Sequence, residues 1–143
     1  MIYTDLTKKA LVLMFELHKQ QLDKGFMPYV FHPYHIAEEM DDEASVCVAL
    51  LHDVLEDSQI TASYLKGAGF TCEIVDAIVL LTHDKSIPYL DYIEAIKSNP
   101  LATKVKIADL KHNCDLSRLD NPTEEDMARV RKYKMALSIL EKS

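Results

Sequence analysis

Apolar residues recur at helical intervals along most of the chain, with little of the alternation expected of half-buried strands. Leu6, Ala10, Leu13, Met14 and Leu22 form one such stripe, with Lys8, Lys9, Glu16 and Lys19 between them. The pattern predicts an amphipathic helix over Leu6–Leu22, closed by Lys24-Gly25. Phe26 to Pro33, with two prolines and three aromatics, predicts an extended link. Pro33, preset for a first helical turn, then opens a second helix to about Met40. Ala44 to Leu51 is apolar almost all round, which on a helix means burial on every side. That helix is expected to continue through His52-Asp53-Val54-Leu55-Glu56-Asp57.

Punctuation residues set the remaining boundaries. Thr61 and Thr71 are N-cap candidates, and Lys66-Gly67-Ala68-Gly69 ends the helix that Thr61 opens. Ser86-Ile87-Pro88 and Asn99-Pro100 each put a proline where a helix would begin. Thr123, with Asp126 three residues on, resembles a capping box for a last helix from Glu124 to about Leu140. No repeat or linker interrupts the series, so the expectation is all-α, one helical domain over residues 1–143.

Composition narrows the class. With 3 Gly and 5 Pro in 143 residues there is little turn material for an all-β fold, and 48% hydrophobic content argues against disorder. No apolar run approaches the roughly 18 residues that span a bilayer, and Met1-Ile2-Tyr3-Thr4-Asp5 lacks the features of a signal peptide. A soluble, cytoplasmic protein is expected. Cys47, Cys72 and Cys114 are odd in number and show no CxxC spacing, so they read as reduced thiols packed as small hydrophobes. The net charge of −7 disfavours nucleic acid polymers and anionic membranes. A small anionic substrate remains compatible, provided a metal or a few lysines reverse the field locally. Nothing in the sequence specifies an oligomeric state.

A buried helix that turns charged at its end needs a reason, because carboxylates near a core are usually paired or metal-bound. His52-Asp53 supplies an imidazole and a carboxylate there. Glu56 and Asp57 follow one turn later, close enough to orient or deprotonate a water on a metal. Tyr29-Val30-Phe31-His32-Pro33 adds an imidazole at a strand-like turn just before a helix. Lys106-Ile107-Ala108-Asp109-Leu110-Lys111-His112-Asn113 adds an isolated carboxylate with an amide four residues on. Two His and two Asp form a nitrogen–oxygen set suited to Mn²⁺, Fe²⁺, Zn²⁺ or similar ions with open positions. Spacing alone does not say that the four meet.

The order His…His-Asp…Asp resembles the signature of HD-superfamily metal phosphohydrolases. More closely, PYVFHPYHIAEEM, ALLHDVLEDSQIT and VKIADLKHN resemble segments of the guanosine-tetraphosphate (ppGpp) hydrolase domains of Rel/SpoT proteins and their small stand-alone relatives, over about Leu11 to Leu119. The resemblance implies an all-helical HD fold with His32, His52, Asp53 and Asp109 as ligands of one divalent ion. That ion is typically Mn²⁺; Fe²⁺, Zn²⁺, Co²⁺ and Ni²⁺ are the other candidates. It implies Glu56 and Asp57 as the pair that activates and positions the attacking water, Asn113 as a nucleotide contact and Lys24 as a lysine facing the phosphates. Where those hydrolases carry an arginine that stacks on guanine, this chain has Asp23, and Gly25-Phe26-Met27 replaces their Ser-Gly-Glu. The chain also lacks room for a synthetase domain. The implied function is metal-dependent hydrolysis of a nucleotide-like substrate, with release of 3′-pyrophosphate from ppGpp as the specific case. The alternatives are another nucleotide or phosphoester, and a non-catalytic nucleotide-binding sensor.

Other residues carry plainer expectations. His18, His35 and His112 read as structural histidines, and His83-Asp84 as a polar helix C-terminus. Lys104, Lys106, Lys111 and Arg118 read as a solvated basic face, with a phosphate contact open for one or two of them. Arg129, Arg131, Lys132 and Lys134 read as an ordinary exposed face. Tyr29, Phe31 and Tyr34 read as core.

Overall fold

The computed structural model describes residues 1–117 and 119–142. The apolar segment after Asp42 becomes α3 (Glu43–Leu51), whose Asp42 cap accepts a hydrogen bond from the Ser45 N–H. Val46 through Leu51 are completely buried. Removing six consecutive side chains from water places this helix at the centre, each large aliphatic contributing about 1.5–3 kcal/mol. Around it pack α1 (Asp5–His18), α2 (Phe31–Glu38), α6 (Cys72–Leu81) and α8 (Pro100–Asn113). The short α4 (Val54–Asp57) touches α1, and α5 (Ala62–Gly67) packs on α6. Both α7 (Tyr89–Ile96) and α9 (Glu124–Glu141) lie against α8 and each other. Among the described residues the backbone pairing outside helices and turns is one antiparallel bridge, Leu22 with Pro28. The all-α expectation is met. No helix of the described residues is long and apolar enough to cross a membrane.

The caps behave as their chemistry requires. Thr61, Thr71 and Asn99 each accept from a backbone N–H in the first turn of the helix they precede, and Pro100 occupies the first helical position. Thr123 and Asp126 form a reciprocal capping box, and Thr4 with Thr7 forms a second one at α1. Gly69, at φ 106°, supplies the left-handed residue that ends the α5 turn.

Three boundaries differ from expectation, and each difference shapes the site. The first helix stops at His18, four residues short of Leu22, and the chain turns into the Leu22–Pro28 bridge. The second begins at Phe31, so His32 lies within its first turn rather than before it. Pro33 fits there because first-turn N–H groups have no helical acceptor. The central helix breaks at His52-Asp53 instead of running to Asp57. The His52 Nδ1–H donates to the Ala49 carbonyl at 2.7 Å, the acceptor an uninterrupted helix would give to the Asp53 N–H. A new turn then starts from the Asp53 carbonyl, which accepts from the Asp57 N–H.

Candidate functional site

Three helices that meet around the end of α3 bring His32, His52 and Asp109 together. His32 Nε2 lies 2.8 Å from Asp109 Oδ1, and His52 Nε2 lies 3.4 Å from the same oxygen. One ligand atom from each residue falls within 4.8 Å of the others, and all three side chains are buried. Because His52 Nδ1 donates to Ala49, its Nε2 carries the lone pair. That nitrogen is buried without a hydrogen-bond partner, although Asp53 Oδ2 stands 3.3 Å away. A lone pair facing carboxylates is repulsive unless a cation sits among them. His32 Nδ1 lies 2.6 Å from His112 Nδ1, so the second ring sets the orientation of the first, and Nε2 is the nitrogen that faces Asp109. The donor set and the orphaned nitrogen fit a divalent cation.

Asp53 borders this cluster, and its Oδ2 accepts a hydrogen bond from the Tyr29 hydroxyl. Burial and the Asp109 charge push the Asp53 carboxyl well above the usual aspartate range, with Asp57 and Glu56 adding to the rise and Lys106 opposing it. Burial would do the same to Asp109. There the Lys106 ammonium prevails and holds it well below that range. Lys106 Nζ donates to Asp109 Oδ2 at 2.9 Å, and Asn113 Nδ2 donates to Oδ1 at 3.1 Å. Lys106, expected on a solvated face, is thus nearly buried, and Asn113 bonds Asp109 while also lining the cleft.

Glu56 and Asp57 occupy α4, and Glu56 borders the same hollow as Asp53 and Asp109. Glu56 Oε1 accepts from the His83 backbone N–H at 2.6 Å. The His83 ring stacks 4.5 Å from Tyr92 and its Nε2 lies 2.8 Å from the Ile87 carbonyl. The segment after α6 is therefore a wall of the site, not merely a polar helix end. Asp57 Oδ2 accepts from Gln21 Nε2 at 3.3 Å.

Two hollows flank the cluster and share Tyr29, His32, Asn113 and Tyr133. One, about 370 Å³, is bordered by Glu56, Lys85, Lys106 and Lys132. The other, about 360 Å³, is bordered by Lys24, Asp23 and Arg129. Lys132 lies over the Tyr89 ring, 4.5 Å from its centroid. Burial pushes the Lys132 ammonium below the usual lysine range, helped by the like charges of Lys85, Arg129, Lys106 and Lys24. Such a gathering of cations is what phosphate groups stabilise. Tyr89 has a buried hydroxyl with no hydrogen-bond partner, and burial pushes its pKa up to about 12, so it keeps its proton at neutral pH.

Lys85, Lys132 and Arg129 are the site residues that sequence reading missed: Lys85 lies in the link between α6 and α7, and a helix of mixed charges such as α9 does not reveal which face meets a cleft. Arg131, paired with Glu124, and exposed Lys134 do occupy an ordinary surface. So do Lys104, paired with Asp41, and Lys111, near Glu141; Arg118 lies outside the described residues. Phe31 is 56% exposed rather than core, while Tyr34 packs against the core. His35 pairs with Glu39 and stacks on His112 at 4.3 Å. Asp23 holds its own loop, with Oδ1 accepting from the Gly25 and Met27 N–H groups at 2.8 and 3.0 Å.

No protein-family model matches the chain. A GTP pyrophosphokinase of Myxococcus xanthus is 32% identical over 143 residues, covering 88% of this chain and 19% of that protein. A probable guanosine-3′,5′-bis(diphosphate) 3′-pyrophosphohydrolase of Synechocystis sp. is 26% identical over 136 residues, 85% of this chain and 18% of that protein. The chain thus spans less than a fifth of these two relatives. A solved structure described as a metazoan ortholog of SpoT that hydrolyses ppGpp and plays a role in starvation responses superposes with a TM-score of 0.81 at 23% identity. That match covers 99% of this chain and 88% of the other, and this chain has its fold. Sequence relatives and fold agree with the Rel/SpoT resemblance of the three motif segments.

Proposed function

We propose that the cleft hydrolyses a phosphoester of a nucleotide-like substrate, and specifically releases the 3′-pyrophosphate of ppGpp. The observation that carries this reading is the buried His32–His52–Asp109 cluster, with an orphaned imidazole nitrogen, at a cleft that Glu56 also borders. The Synechocystis relative named as a probable 3′-pyrophosphohydrolase supplies the substrate class. His32, His52 and Asp109, with Asp53 as fourth ligand, would hold one divalent ion, Mn²⁺ by family resemblance. When bound, that ion lowers the pKa of a water and polarises a phosphoryl oxygen.

The chain's own groups do the rest. Glu56, held by the His83 N–H, accepts a proton from the attacking water, and Asp57 orients that water. The water oxygen bonds to the phosphorus attached to the ribose 3′-oxygen, and the bond between them breaks. The proton on Glu56 passes to the departing 3′-oxygen, giving GDP and pyrophosphate. Lys85 and Lys132 neutralise the pyrophosphate as charge builds on it, and Lys24 and Arg129 face the remaining phosphates. Asn113 steadies Asp109 and reaches the nucleotide side of the cleft.

The test is a panel of phosphorylated nucleotides incubated with protein reconstituted with Mn²⁺, Fe²⁺, Co²⁺, Ni²⁺ or Zn²⁺. Release of pyrophosphate from ppGpp is the expected result. Turnover of a different nucleotide only would replace the substrate, which the loss of the stacking arginine at Asp23 makes the second reading. Tight binding without turnover under every metal would overturn hydrolysis in favour of a sensor.

A further inference from the structure

Behind the cleft, the last residue of α1 carries a buried imidazole that the proposed chemistry does not use. His18 is 1% exposed, and its Nδ1 lies 2.9 Å from Gln21 Oε1. Gln21 Nε2 in turn donates to Asp57 Oδ2 at 3.3 Å. A carboxylate can only accept, so the amide nitrogen faces Asp57 and the amide oxygen faces the imidazole. That oxygen then requires the proton on His18 Nδ1. His18 Nε2 is buried without a partner, which suits a bare, neutral nitrogen. Gln21 itself is pinned by its backbone, its N–H donating to the His18 carbonyl and its carbonyl accepting from the Tyr29 N–H. The His18 ring also packs 5.0 Å from the Tyr29 ring, whose hydroxyl donates to Asp53.

We infer that His18 is a positioning residue: through the Gln21 amide it fixes the Asp57 carboxylate in the orientation the attacking water needs. This rests on the hydrolase reading above. A side chain retained only to fill volume would not need a donor at Nδ1, and one serving metal retention would bond a ligand directly. Here the path from His18 to Asp57 runs through a single amide whose two ends are both occupied.

The experiment compares His18→Leu, which fills space without a donor, with His18→Asn, whose amide nitrogen stands near the position of Nδ1. In Mn²⁺-reconstituted protein acting on ppGpp, His18→Leu is expected to lower kcat several-fold, roughly the effect of losing the one neutral hydrogen bond that holds the Gln21 amide. KM and bound-metal stoichiometry should stay at wild-type values, and His18→Asn should recover most of kcat. In a double-mutant cycle with Gln21→Leu the losses should not add, because both variants cut the same path. Unchanged kcat in His18→Leu, equal loss in the two His18 variants, or metal lost in step with kcat would each overturn the proposal. Nitrogen-15 NMR of the imidazole in wild-type protein gives a readout that does not depend on a variant folding or on turnover. The proton belongs on Nδ1, and a proton on Nε2 alone sinks the positioning role. A wild-type protein that turns over no nucleotide sinks the hydrolase reading, and this inference with it.

Discussion

The Glu56 carboxylate accepts a 2.6 Å hydrogen bond from the backbone N–H of His83, which ties the α4 turn to the segment that follows α6. One oxygen is thereby fixed, and the other is left to meet a water. Glu56→Gln keeps an acceptor for the His83 N–H but cannot take a proton. We expect it to bind metal at wild-type stoichiometry and to lose turnover by roughly 10²–10⁴-fold. Elemental analysis paired with rate assays checks both halves, and near-normal turnover would remove Glu56 from its role.

His32, His52 and Asp109 come from three helices, so a cation that bridges them should stabilise the fold. At 100 times its Kd, an ion bound only by the native state adds about 2.7 kcal/mol. Mn²⁺ should therefore raise the Tm of the wild type but not of Asp109→Ala. An equal rise in both would show the ion binding elsewhere. Asp53→Ala is expected to lose both bound metal and turnover.

Lys85 and Lys132 border the same hollow as Glu56. Replacing either with Ala removes a charge-assisted contact to phosphate, so KM for a nucleotide polyphosphate should rise roughly tenfold. The dependence of kcat/KM on ionic strength should flatten as well. Unaltered KM in both variants would return α9 to the status of an exposed face.

Phe26 adopts φ 64° and is 81% exposed, so its ring gains little from burial while its backbone sits in the left-handed region. Phe26→Gly should raise stability by up to about 1 kcal/mol, read as an increase in denaturation midpoint. A lower midpoint would mean that the ring makes a contact worth more than the relief.

Asp42 caps α3, and the Ser45 backbone N–H together with the Ser45 hydroxyl holds its carboxyl below the ordinary aspartate value. A depressed native pKa means the cap stabilises above the unfolded pKa of about 4 and loses that stabilisation as pH falls through the native value. Asp42→Ala should cost about 1 kcal/mol near neutrality. The gap between variant and wild type should close as denaturation is repeated toward pH 3. A gap that persists in acid would assign the loss to something other than the ionised cap.

What the sequence determined by itself was local. Apolar periodicity and capping chemistry act within one or two turns, so α3, the Thr61, Thr71 and Thr123 caps and the Pro100 start were legible before any coordinates. The charged end of the buried helix was equally legible as a place where chemistry was expected. The tertiary structure alone decided that His32 and Asp109, 77 positions apart, lie within hydrogen-bonding distance. It also decided that α1 yields at His18 and that the central helix breaks at His52, where a side chain competes for a backbone carbonyl. It turned Lys132 and Arg129 toward a cleft that their own helix gives no sign of. Helical propensity is a short-range preference shared by many sequences. Which buried donor meets which acceptor, and which polar atom is left without one, is settled only when the whole chain has packed.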